Sequence, residues 1–379
     1  MKFSFSDEQD AFRDTLRRFL EDKSPTSEVR RLMATETGYD PAVWKQLSQE
    51  LGLTGIHIPE AYGGMGYGIS ELGIAVEEAG RALLCAPFFA STVMAATAIL
   101  EAGTEDQKQA LLPPVASGER IATLALAEDS GRWTADGVAM TATANGSRFT
   151  LDGVKSFVLD GHTADLIVVA ARRPGSTGAD GLSLFTVAGN APGLDRRRLE
   201  AVDATRKLAR LTFDGVEAEL LGSEGAAAAP LARTLDLAAI CLANEMVGGA
   251  ERLREDALDY INMRVQFGRP IASFQAIKHK TADILLDVEL AKAGADYAAA
   301  AADTPDEDDN LAALAAIAKA AASETYMETA VYAVQMHGGI GFTWDNDTHL
   351  WFKRAKASEV FLGHASPVSY THLTLPTNA

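Results

Sequence analysis

The period of the apolar residues changes twice along this chain, and a fold built from a single kind of layer cannot accommodate both changes. Ser6, followed by Asp7 and Glu8, reads as a helix start, and Phe12, Leu16, Phe19 and Leu20 then fall at helical spacing. Asp40-Pro41 opens a second helix that Gly52 stops, and residues 71–84 and 90–102 continue the pattern up to Gly103. From Ile121 the texture shifts to short apolar bursts, IATLALAE, MTATANGSRFTLDGVKSFV, DLIVVAAR, LSLFTVA and RLTFDGV. Asn145-Gly146, Asp152-Gly153 and Asp160-Gly161 stand between or within them as tight-turn signals. About six strands without intervening helices predict an antiparallel barrel or sandwich. From Ala226 the chain is alanine-rich, with apolar stripes over 231–265, 273–301, 311–337 and 346–362, which predicts four long helices in a bundle.

The expected fold class is therefore α+β. An N-terminal all-α domain (1–118) precedes a central antiparallel β-domain (119–222) and a C-terminal four-helix bundle (223–366). Residues 367–379, PVSYTHLTLPTNA, carry no period and are expected to be a disordered or non-native tail. The acidic run 303–309, broken by Pro305, reads as a solvated loop.

Charge and cysteine content narrow the function. With 34 Lys+Arg against 52 Asp+Glu the net charge is −18, which argues against nucleic acid or an anionic membrane as partner. Cys85 and Cys241 lie too far apart in sequence for a disulfide framework or a cysteine zinc site, and the seven His are scattered, so no metal is expected. The opening MKFSFSDEQDAFRDTL lacks the apolar stretch of a secretion signal, and the apolar runs fall short of the roughly 20 residues of a membrane span. A cytoplasmic location is expected. GGMGYG at 63–68 is no dinucleotide fingerprint, because Ile69 stands where a third glycine is needed and no βαβ unit surrounds it.

Two stretches invite an anion. RVQFGRPIASFQAIKH (264–279) closes a helix at Gly268 and restarts it after Pro270, with an arginine available for bidentate contact. VQMHGGIGFTW (334–344) runs a helix into Gly338-Gly339-Ile340-Gly341, whose N–H groups can hold a phosphate or simply cap the helix. Together with IPEAYGGMGYG near the N-terminus and the turn-rich middle, they resemble the acyl-CoA dehydrogenase family in segment order and approximate spacing.

That resemblance implies a usually tetrameric flavoprotein that dehydrogenates an acyl-CoA thioester between Cα and Cβ and passes electrons to a second flavoprotein. It implies FAD at a subunit interface. Arg264, Phe267 and Gln275, with Gln335, Gly338 and Gly339, would reach the diphosphate and adenosine half of a FAD held mainly by a neighbouring chain. Phe157 would pack against the flavin. The clusters Arg196–Arg198 and Arg206-Lys207 either meet CoA phosphates or lie in a solvated loop.

The chain departs from the family at the base. Most members carry a glutamate where KRAKASEVFLGH has Leu362, and a second family solution falls at Ala238. The nearest carboxylate is Glu245, the only charged residue in LAAICLANEMVGGA (237–250), which is either paired with a cation or shifted and catalytic. In the β-domain, AEDSGRW replaces the family's T-E-P-x-x-G-S-D, and Leu159 stands where a threonine donates to the flavin. Three expectations follow: an acyl-CoA dehydrogenase with Glu245 as base, a non-catalytic subunit of a hetero-oligomer that completes a partner's FAD site, or a monooxygenase-type relative.

Overall fold

The computed structural model describes residues 5–146, 148–304 and 310–363. In chain order the helices are α1 (Asp7–Lys23), α2 (Thr26–Met33), α3 (Pro41–Lys45), α4 (Ile69–Arg81), α5 (Thr97–Ala102), α6 (Glu105–Ala116), α7 (Ala228–Met263), α8 (Gln275–Ala302), α9 (Leu311–His337) and α10 (Thr348–Val360). The strands are β1 (Ala122–Ala125), β2 (Thr141–Asn145), β3 (Arg148–Leu159), β4 (Leu166–Arg172), β5 (Leu182–Ala188), β6 (Leu194–Leu199), β7 (Leu208–Leu221), β8 (Val265–Gln266) and β9 (Arg269–Pro270). Packing gathers them into two compact units. One comprises Met1–Arg30, Ile69–Leu84 and Ala239–Ala379, the other Arg31–Gly68 and Cys85–Ala238.

The first unit is helical. α1 starts as its sequence dictates: Ser6 accepts from the Gln9 N–H while the Gln9 side chain accepts from the Ser6 N–H, a reciprocal capping box. Leu16 and Leu20 bury the apolar face of α1, which packs on α4. α4 in turn crosses α7 at glycines. A Cβ on Gly248 would lie 1.9 Å from the Glu77 carbonyl oxygen, and one on Gly80 would lie 2.0 Å from the Glu245 carbonyl oxygen. Only a residue without a side chain allows that approach. α8 and α10 both pack on α9, whose alanines let the backbones come close. Asp303, first residue of the predicted acidic loop, accepts from the Ile69 and Ser70 N–H groups and so caps α4; residues 305–309 and the 367–379 tail lie outside the described residues.

The second unit holds the sheet. Its strands run β1-β4-β2-β3-β7-β5, β6 pairs with β7, and β4 also pairs with β5, so the path returns on itself as in a barrel. Most pairings are antiparallel, but β1–β4 and β2–β4 are parallel. Two sequence expectations need correcting here. Asp152-Gly153 is not a turn; it lies inside β3 at a register shift against β7, with Gly153 at φ +145. The extra residue is absorbed as a bulge, which the same dipeptide signals as readily as a turn. Arg196–Arg198 are not a loop either: they sit in β6, with Arg196 donating to the Ala164 carbonyl and Arg198 paired with Glu36. Arg206 lies over the Phe89 ring, and Lys207 is buried and donates to the Met33 carbonyl. The GGMGYG loop is structural, since a Cβ on Gly64 would meet the Ile58 oxygen at 2.0 Å.

Candidate functional site

Six of the seven expected cofactor contacts lie at one end of the helical unit. α7 ends at Met263, and the chain reverses through the β8–β9 hairpin, whose turn residues Phe267 (φ +53) and Gly268 (φ +77) both adopt the left-handed conformation. Such a two-residue turn matches the twist of its strands, and its strain at a non-glycine residue is worth noticing. Phe267 is 91% exposed and meets Phe274 edge-on, while Arg269 lies over the Phe274 ring. The hairpin is therefore pinned from below and open above.

Two contacts bring the end of α9 alongside. Tyr260, one turn before the end of α7, stacks on His337 with ring centroids 4.3 Å apart. Thr281, near the start of α8, hydrogen-bonds Tyr332 of α9. Arg264, Phe267, Gln275, Gln335, Gly338 and Gly339 are all exposed there. A Cβ on Gly268, Gly338 or Gly339 would meet nothing within 4 Å, so the backbone at these glycines faces open space. This end offers a guanidinium, two amides and exposed N–H groups, a donor set that suits an anion.

Glu245 belongs elsewhere in the same unit. It is 6% exposed, midway along α7, and its Oε1 accepts from Arg354 Nη1 of α10 at 2.9 Å. Both side chains are buried, at 7% and 4%. Of the two alternatives open in the sequence, the structure supplies the cation. Leu362 follows α10 in the left-handed conformation (φ +59), with the turn held by buried Lys319, which donates to the Glu359 and Gly363 carbonyls. Burial lowers the Lys319 ammonium to about 8. No sequence motif flagged Lys319; its one legible signal is that it is the sole charge in LAALAAIAKAAAS.

Phe157 lies in the second unit. It sits in β3 at the register shift after Lys155, with φ +59 and 38% exposure. Beneath it Lys155 is fully buried and donates to the Leu126 carbonyl and to Glu128; burial pulls its pKa down to about 8 although Glu128 pulls the other way. Ser156 donates to Asp129, and Arg210 grips the same carboxylate. Leu159 is buried, and the Ser156 N–H is spent on the Ala127 carbonyl. A cleft of about 1220 Å³ also opens in this unit, beside Arg120, Asp165 and Arg196, and holds none of the expected residues.

Comparison with known proteins identifies the chain. Residues 6–119 match the acyl-CoA dehydrogenase N-terminal domain, 123–216 its middle domain and 228–365 its C-terminal domain. The chain belongs to the acyl-CoA dehydrogenase family. It is 34% identical to the acyl-CoA dehydrogenase IpdE2 of Mycobacterium tuberculosis, over 94% of this chain and 93% of that one. Among solved structures it resembles butyryl-CoA dehydrogenase from Megasphaera elsdenii, with TM-score 0.90 and 29% identity over 98% of each chain. It also resembles a chain of the ChsE4-ChsE5 complex from Mycobacterium tuberculosis, with TM-score 0.88 and 25% identity over the full length of both. The family consists of flavoprotein oxidoreductases acting on the CH–CH bond of acyl-CoA thioesters, and this chain is one of them. Among the described residues no helix is long and apolar enough to cross a membrane.

Proposed function

We propose that this chain serves the FAD-dependent α,β-dehydrogenation of an acyl-CoA, with electrons passed to an external flavoprotein, as one subunit of a tetramer. The observation that supports it is the open end of the helical unit, where Arg264, Gln275, Gln335, Gly338 and Gly339 converge around exposed backbone. FAD, when bound, supplies the hydride acceptor for the β-hydrogen. This chain's part is to hold the phosphate-bearing half: Arg264 donates to a diphosphate oxygen, the glycine N–H groups of 338–339 add neutral donors, and Phe267 offers an apolar face. An electron-accepting flavoprotein as partner is in keeping with the structural likeness to a chain solved in work on an electron-transferring flavoprotein of Acidaminococcus fermentans.

A second, more specific reading concerns the base. A carboxylate that removes an α-proton needs to reach the substrate carbon unpaired. Glu245 is instead held by Arg354, and the two family positions carry Ala238 and Leu362. The β-domain lip likewise does not fit an isoalloxazine, for Ala127 and Leu159 supply no hydroxyl donor. These observations favour a subunit that completes a partner's flavin site while the partner provides the base, as in a mixed oligomer. Likeness to a chain of a two-component complex supports the same reading.

The experiment is a visible spectrum of the chain expressed alone and with a homologous partner subunit. The mixed-oligomer reading expects flavin, and bleaching by acyl-CoA without oxygen, only in the co-expressed assembly. Stoichiometric flavin that bleaches in the chain alone would restore self-sufficient catalysis and send the search for a base back to this chain.

A further inference from the structure

The helical unit contains a charge cluster far more elaborate than a helix contact requires. Arg13 of α1 pairs with Glu77, and Arg17 with Glu78; both glutamates are 1% exposed on α4. Arg81 of α4 pairs with Glu255 and faces Glu251 of α7 at 3.7 Å. Lys292 of α8 lies 2.9 Å from Glu77 and 3.6 Å from Glu251. One turn further along α8 is Asp296, which feels Glu77, Lys292, Arg13 and Glu251. Four segments distant in sequence thus meet through charge.

The charges do not balance. Glu77, Glu78, Glu251, Glu255 and Asp296 give five carboxylates, whereas Arg13, Arg17, Arg81 and Lys292 give four cations. The adjoining Arg252–Asp256 pair on α7 compensates itself. Every cation is engaged by a glutamate, and Asp296 forms no hydrogen bond or ion pair with any described side chain. α9, which packs along α8, carries Lys319, Glu324, Glu328 and His337, and none of these is among the groups acting most strongly on Asp296. A partly buried fifth carboxylate next to Glu77 and Glu251 is costly when ionised and harmless when it carries a proton.

We propose that Asp296 is the proton-binding member of this network, so that the packing of α1 and α4 onto α7 and α8 tightens when it is protonated and loosens when it ionises. Burial first, and then the neighbouring Glu77, raise this carboxyl to about 7, in keeping with the geometry. The unfolded chain releases the same proton near 3.8. A raised carboxyl contributes stability that is fully present below its unfolded value and is lost as pH rises through the folded one. The loss therefore runs from about pH 4 to about pH 7 and levels off above it. Acting through helix packing, the device sets the stability of the unit independently of which subunit supplies the catalytic base.

The test is urea unfolding of the full chain, in its purified assembly, at several pH values, for wild type and Asp296→Asn. The amide mimics the protonated carboxyl. The wild-type folding constant should fall relative to the variant by up to about tenfold per pH unit across the window, with the two curves parallel above it. Carbon-13 NMR of aspartate carboxyls in the wild type gives an independent reading, with one carboxyl titrating near neutrality and missing from Asp296→Asn. Parallel curves throughout the window would overturn the proposal. If the variant does not fold, assigning the Asp296 signal by backbone correlation decides it: titration in the ordinary carboxylate range overturns the proposal, titration near neutrality upholds it.

Discussion

Two regions of the helical unit place their charges in opposite settings. Midway along α7, Glu245 is sealed against Arg354, both all but inaccessible to water. At the far end of the same helix Arg264 and its neighbours stand open, with nothing near the glycines beside them. The lesson is that a carboxylate in an apolar helix and an arginine after it do different work: the first is consumed in holding helices together, the second is available to a ligand. Residue type does not separate the two cases. Surroundings do.

The sealed pair can be broken first, with the largest effect. Arg354→Met leaves Glu245 buried without its cation and is expected to cost about 3–5 kcal/mol in chemical unfolding. Glu245→Leu combined with Arg354→Met should recover most of that, because a hydrophobic replacement of both partners removes the unpaired charge. Failure of the double variant to recover would mean that the pair is not the reason Arg354 matters.

The open end responds differently. Arg264→Ala should leave unfolding unchanged within about 0.5 kcal/mol, as expected of an exposed side chain. It should weaken FAD retention by the assembly roughly tenfold, the scale of one charge-assisted contact. Equilibrium dialysis of flavin checks this, and full retention would remove Arg264 from the site. A smaller effect calibrates the comparison: Ser6→Ala, which removes the α1 cap, should cost about 1 kcal/mol in urea unfolding with no change in flavin retention.

Much of this organisation was legible in sequence. The change from helical period to short bursts and back located the sheet, because burial of one face imposes period 3.6 on a helix and 2 on a strand. The helices at 311–337 and after Ser6 were read well because caps and apolar stripe agreed. What escaped had weak local signals. α2 is one short amphipathic stretch, and α6 carries Pro113-Pro114 inside it. β6 reads LDRRRL, an exposed strand whose arginines look like a loop. At the site, sequence singled out Glu245 and Arg264 as unusual but could not tell a sealed charge from an open one. That distinction depends on Arg354, 109 positions from Glu245, arriving on another helix. The five-against-four charge cluster was equally hidden, since its members come from four separated segments.

The central claim is that the charge at 245 serves the fold while the end at 264 and 335 serves the flavin. Anaerobic stopped-flow reduction by acyl-CoA, in an assembly carrying Glu245→Gln, tests it most directly. The account predicts a flavin-reduction rate constant equal to that of the unaltered assembly, at a temperature where both are folded. A fall of 10²-fold or more, the scale of losing a general base, would contradict it.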